Sequence, residues 1–334
     1  MTLRRVFIRA AAAVVLTAPF LATAQQAGKA HRVALILTTT PVAEMAGPEP
    51  LHALTGEFLR ELQVLGYVEG RNLIFERRSA EGKNDRYPEI VAELVRIKTD
   101  VIAAAGSPVL VRQLMKGART VPIVMIGGFP METGLVTSLA RPGGNVTGLT
   151  ASSGPDIESK RLQLLKEVIP KLSRVAYLAT KEGWDLPNAR AARRAAPTLG
   201  VELLHAEHTA FDIDATLAGL ARLGPDALFA SGSFETYAHR HQIVEFALKA
   251  RLPGIYSYRE MAETGGLVSY GVSIPGLARR AAHYVDKILR GARPADLPIE
   301  QPTQFELVIN LKTARALDIT IPPSILLRAD RVIE

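Results

Sequence analysis

Leu94-Val95-Arg96-Ile97-Lys98-Thr99-Asp100-Val101-Ile102-Ala103-Ala104-Ala105-Gly106-Ser107 and Leu220-Ala221-Arg222-Leu223-Gly224-Pro225-Asp226-Ala227-Leu228-Phe229-Ala230-Ser231-Gly232-Ser233 read as one unit written twice. Leu, Arg, Asp, Ala, Gly and Ser recur at a constant offset, with apolar residues matching between them. Each copy ends a helix, turns at an aspartate, runs through a short apolar strand and stops in a Gly-Ser loop. Leu65-Gly66 and Leu199-Gly200, each ahead of a strand candidate, fit the same scheme. The chain therefore predicts two similar halves.

The same rhythm extends outward on both sides. Strand candidates in the first half are Val33 to Leu37, Leu73 to Arg77, Val101 to Ala104, Pro122 to Ile126 and Val146 to Thr150. In the second half they are Val175 to Leu178, Val201 to His205, Ala227 to Ala230, Gly254 to Tyr256 and Leu267 to Tyr270. Segments of helical period lie between them. One carries Leu51, Leu54, Phe58, Leu62 and Leu65 before Gly66 stops it, and Tyr87 to Ile97 makes another. Short apolar strands alternating with amphipathic helices specify an α/β protein with parallel sheets, here two Rossmann-like lobes.

Open parallel sheets bind ligands at the carboxyl ends of their strands. Those ends are small and polar in this chain: Thr38-Thr39-Thr40-Pro41, Gly106-Ser107-Pro108, Gly127-Gly128-Phe129-Pro130 and Ser231-Gly232-Ser233-Phe234. Glycine lets a ligand approach the backbone and hydroxyls supply donors, although the same residues also make ordinary strand-to-helix turns. Where such a loop opens a helix, free N–H groups favour a carboxylate or phosphate. Aromatic side chains add apolar area: Trp184 in the loop-like Lys181 to Asp185, Phe234, and Tyr258 after Tyr256, whereas Tyr237 reads as helix packing. The candidate ligand-binding residues are Thr39, Thr40, Gly106, Ser107, Gly128, Phe129, Trp184, Ser233, Phe234 and Tyr258, with Ser107 and Ser233 expected to donate to the ligand from opposite lobes.

The N-terminus reads as an export signal over residues 1–24. Arg4, Arg5 and Arg9 precede an uncharged run from Ala10 to Leu21, and Ala22-Thr23-Ala24 provides a cleavage site before Gln25. The run is too short to span a bilayer. The paired arginines fit both the general secretory path and a twin-arginine signal. Without the three signal arginines the formal charge falls from +7 to +4, and the basic residues are scattered over helices, which argues against nucleic acid. There are no cysteines. No nucleophile elbow, phosphate loop, H-E-x-x-H or G-x-G-x-x-G is present, so nothing points to an enzyme or a catalytic residue. His205 with His208, and His239 with His241, lack the partners a metal site requires. Asp212 and Asp214 read as helix caps. The sequence implies no cofactor and no metal.

Four motifs then identify a family. Leu65-Gly66-Tyr67-Val68-Glu69-Gly70-Arg71-Asn72, Ser138 to Leu149 (SLARPGGNVTGL), Gly265 to Gly271 (GGLVSYG) and Phe305 to Thr313 (FELVINLKT) resemble those of the ABC-transporter substrate-binding proteins, a family that includes tryptophan- and tyrosine-binding members. The resemblance covers nearly the whole chain after the signal. It implies a periplasmic-binding-protein type I fold: two lobes joined by a three-segment hinge, with the ligand cleft between them. The crossings are placed near Gly148, Tyr270 and Gln304. That gives one lobe of residues 30–148 and 271–303, and a second of 149–270 and 304–334. It further implies a monomeric periplasmic component of an importer that closes on a small polar ligand, such as an amino acid or another small carboxylate, and presents it to a membrane permease. A periplasmic sensor that presents its ligand to a receptor is the alternative. The resemblance does not fix the ligand, because relatives differ most in the loops around Trp184 and Phe234.

Overall fold

The computed structural model describes residues 30–334 apart from 152, 153, 155, 210 and 211, so the export signal lies outside the described residues. The first sheet holds His31–Leu37 (β1), Leu73–Ser79 (β2), Val101–Ala105 (β3), Ile123–Ile126 (β4) and Val146–Leu149 (β5). All are parallel, in the order β2-β1-β3-β4-β5. The second sheet holds Arg174–Ala179 (β6), Glu202–Glu207 (β7), Ala227–Ala230 (β8), Gly254–Tyr258 (β9), Val268–Val272 (β10), Glu306–Asn310 (β11) and Arg331–Ile333 (β12). Its order is β12-β11-β10-β9-β8-β6-β7, parallel except where β10 meets β11. The first four strands of each half therefore take equivalent places, β2-β1-β3-β4 against β7-β6-β8-β9.

The repeated phrase does the same work in both halves. The Asp100 carboxylate accepts from the backbone N of Arg32 at the start of β1 (2.7 Å), and that of Asp226 accepts from the backbone N of Arg174 at the start of β6 (2.8 Å). Each aspartate thus fixes the register of its strand against the first strand of its half. The Asp226 carboxyl is held below the usual range by the hydroxyl of Ser173 and by backbone N–H groups. After each strand the serine caps the next helix: Ser107 Oγ accepts from Val109 N and Ser233 Oγ from Thr236 N, both at 3.1 Å. Asp212 likewise caps its helix, accepting from Ala215 N at 3.0 Å, and Asp214 lies in the first turn.

The inner strands β3, β4, β8 and β9 are buried throughout, as helix-covered parallel sheets require, and so is the edge strand β5. In the helix Ala53–Val64 the stripe Leu54, Phe58 and Leu62 is fully buried, and Gly66 beyond it has φ +96°. Leu51, expected on that stripe, precedes the helix and is exposed. β11 and β12 are strands that periodicity did not reveal. One is antiparallel beside β10, and the other is a three-residue, largely exposed edge too short for a pattern.

The chain leaves the first sheet at Leu149 and enters the second. After Val272 it returns: the helix Ile274–Leu289 packs on Ala53–Val64, with an Arg279–Glu57 ion pair at 3.1 Å and the Tyr67 hydroxyl donating to Asp286 at 2.9 Å. Thr147 Oγ1 then donates to Leu297 O (2.8 Å), and Glu300 bridges to Leu149, before the chain passes into β11. Gly148 sits at the first passage because a Cβ there would run into the backbone of Met125 on β4.

Candidate functional site

The loops after the carboxyl ends of the two sheets meet face to face. Phe234, opening the short helix Phe234–Ala238 beyond β8, lays its ring on Gly127 beyond β4. A Cβ at Gly127 would lie 2.6 Å from Phe234 Cε2, and φ there is +84°, so both the close approach and the backbone conformation call for glycine. The ring continues into a run of aromatic contacts across the cleft: Phe234 to Tyr258 (6.4 Å between centroids), Tyr258 to Tyr237 (5.2 Å) and Tyr237 to His52 (6.3 Å). Arg240 stacks its guanidinium 4.9 Å over Tyr237. Burial pushes the Tyr237 and Tyr258 phenols up. Burial, with the Arg240 charge second, brings His52 down to about 4, so its imidazole is neutral at pH 7.

A cavity lies at each end of this aromatic run. One, of about 240 Å³, is lined by Thr39, Thr40, Glu44, His52 and Glu81 from the first half and by His239 and Arg240 from the second. The other retains only about 10 Å³ and lies among Phe129, Ala151, Glu158, Arg161, Ser257 and Tyr258. Its wall is charged. Glu158 and Arg161, three residues apart on the helix Ile157–Val168, form an ion pair at 2.9 Å with their side chains 1% and 4% exposed. Arg161 Nε donates to Tyr270 O (2.6 Å), and Asn188 Nδ2 donates to Glu158 Oε1 (3.1 Å). Tyr258 closes the floor by donating its hydroxyl to Gly232 O at 2.8 Å.

The loops of the two sheets thus close over a cleft. Among the described residues no cluster of three or more histidines and acids is placed to hold a metal. The model of the family described as "ABC transporter substrate binding protein" matches residues 42–333. The chain belongs to that family. Its members are solute-binding proteins, not enzymes.

This substrate-binding protein is similar to a tyrosine-binding protein of Clostridioides difficile, 25% identical over 265 residues covering 78% of this chain and 75% of the relative. A conserved domain protein from Vibrio cholerae has a similar structure, with a TM-score of 0.79 at 25% identity, covering 91% of this chain and all of the other. An ABC domain from Streptococcus pneumoniae, solved with L-Trp, shares the fold with a TM-score of 0.76 at 23% identity and the same coverage. The architecture is the two-lobed periplasmic-binding-protein type I fold.

Of the residues singled out in the sequence, Thr39 and Thr40 line the larger cavity, and Phe129 and Tyr258 the smaller. Phe234 lies between them. Gly128, with φ +85°, carries the loop into Phe129, and a Cβ on Gly106 would collide with Thr38. Ser107 and Ser233 spend their oxygens as acceptors for helix N–H groups, a role that the expected donation to a ligand did not include. Trp184 is not brought to the others. Its segment is a short helix, Lys181–Asp185, capped by Thr180, and not a loop. The indole stacks on His205 at 4.6 Å and under the Arg193 guanidinium at 4.3 Å, so its faces serve packing within the second half.

Sequence reasoning missed Glu158, Arg161, His52, Arg240 and Ser257. For the first two a signal existed. On a helix, positions 158 and 161 share a face with Leu165 and Val168, so charges there had to be buried with the apolar stripe.

Proposed function

We propose that this protein is the periplasmic solute-binding component of an ABC importer, which captures a small polar ligand by closing two lobes about a hinge. The lobes are residues 30–148 with 271–303 and residues 149–270 with 304–334, and the hinge is the three passages between the sheets. The observation that carries the reading is the contact of Phe234 with Gly127: two loops that belong to different sheets meet over polar cavities. The ligand favours closure because only the closed form presents both walls to it. Export to the periplasm rests on the tripartite N-terminus, and presentation to a membrane permease rests on the family. The tyrosine-binding relative and the L-Trp complex make an amino acid the first ligand class to try.

A thermal-shift screen over amino acids, nucleosides and organic acids, followed by small-angle scattering with the best hit, tests the reading. A binder at 100 times its Kd adds about 2.7 kcal/mol and raises Tm. The radius of gyration is then expected to fall on saturation with no change in circular dichroism. A constant radius with a saturating ligand would overturn the clamp.

A further inference from the structure

Glu158 and Arg161 are more than a stability device. Replacing a buried ion pair with apolar groups of similar volume is often neutral or stabilising, so stability gives little reason for this pair. Its valences are also incompletely used. Arg161 Nη1 and Asn188 Nδ2 both meet Glu158 Oε1, while Oε2 is buried and has no hydrogen-bond partner among the described residues. Arg161 directs Nε to Tyr270 O, and its Nη2 lies over Gly271. Both side chains line the smaller cavity, whose remaining 10 Å³ is the size of one water, and hence of one ammonium group.

From this geometry we infer that Glu158 and Arg161 are the specificity-determining pair of the cleft and select a zwitterionic head group, its ammonium donating to Glu158 Oε2 and its carboxylate accepting from Arg161 Nη2. The inference rests on the capture reading above and deepens it. Charge decides the class. The pair is neutral as it stands, so an amine alone or an acid alone would leave one uncompensated charge in a dry wall. A zwitterion leaves the count balanced and adds two charge-assisted bonds. The lobes part to admit the head group and shut on it, with Phe129 and Tyr258 flanking.

The test compares matched probes on the wild type and on Glu158→Gln: each standard L-amino acid, the deaminated acid and the decarboxylated amine of the tightest binder, and a panel of neutral sugars and nucleosides. Expected is an amino acid as the tightest binder, with the deaminated acid and the amine each about ten- to a hundredfold weaker. In Glu158→Gln the preference over the deaminated acid should collapse or reverse, and affinity for the deaminated acid itself should rise, because the variant wall keeps the charge of Arg161 and the acid alone now balances it. A purely structural role would weaken all probes alike or none, and either pattern overturns the inference. If Glu158→Gln does not fold, Arg161→Lys is read the same way against the decarboxylated amine. Tight binding of a neutral sugar or nucleoside, or of the deaminated acid as well as its amino acid, overturns the inference and leaves capture intact. No binding by any probe overturns both.

Discussion

Gly106-Ser107-Pro108 and Gly232-Ser233-Phe234 occupy equivalent places after β3 and β8, and both serines cap the helix that follows. Beyond the serines the likeness ends. Pro108 only starts a helix, whereas Phe234 crosses to the other sheet. The same division holds around the smaller cavity. There the first half contributes Phe129 and the loop backbone of Gly127 and Gly128, both with positive φ, and the second contributes the side chains of Phe234, Tyr258, Glu158 and Arg161, whereas the larger cavity takes side chains from both halves. What is repeated in the sequence is the framework of aspartate, strand and cap. The residues proposed to read a ligand lie where the copies differ.

The largest effect should come from the second half's charged wall. Arg161→Met leaves Glu158 buried without its counter-ion and is expected to cost about 3–5 kcal/mol in urea unfolding. The double variant Glu158→Leu with Arg161→Met should recover most of that loss. A single variant costing under about 1 kcal/mol would mean that the wall is wetter than its burial implies, and the contrast between the halves would weaken.

Next is the titratable group of the first half. His52 is held near 4 in the folded protein against about 6.5 when unfolded, so between those values the unfolded chain binds the extra proton. Its contribution is therefore fully present above pH 6.5 and is lost as pH falls towards 4. At pH 5 the loss is about 2 kcal/mol. Subtracting the pH profile of His52→Gln from that of the wild type cancels the carboxylates and the second buried histidine, His208, whose pKa burial also lowers. Parallel profiles from pH 7 to pH 5 would show that His52 is solvated when the lobes are in solution.

The fold was legible because it rests on local period and on a repeated phrase. The strands β1 to β10 fall within a few residues of their sequence positions. The site was half legible, and the division follows the chemistry. Loop residues at strand ends, such as Thr39, Phe129 and Tyr258, announce themselves by position. Trp184 did not go where a loop tryptophan would, because Thr180 turns its segment into a helix and His205 and Arg193 take the indole faces. Glu158 and Arg161 lie inside a helix whose charges look solvent-facing until the apolar stripe is phased, and their partners Asn188 and Tyr270 are 30 and 109 residues away. Long-range pairing of that kind leaves no local pattern.

The smallest effect tests the likeness itself. Ser107 and Ser233 each satisfy a helix N–H, and alanine at either place should cost about 1 kcal/mol of stability. If the repeat confers the same framework role, the two losses match within a few tenths of a kcal/mol, since the caps belong to separate helices and the effects should add. Affinity separates capping from reading. A serine whose oxygen accepts from the backbone can still give its proton, which at Ser233 meets only Thr236 Oγ1 among the described residues, at 3.4 Å, so a ligand bond would add about 0.5–1.5 kcal/mol to the cost measured by calorimetric titration, over and above the loss in Tm. That excess is expected at Ser233, beside Phe234 and Gly232, with little at Ser107. Equal losses of affinity at both would restore a symmetric cleft in which each lobe donates one hydroxyl, and would move the reading surface back onto the repeated residues.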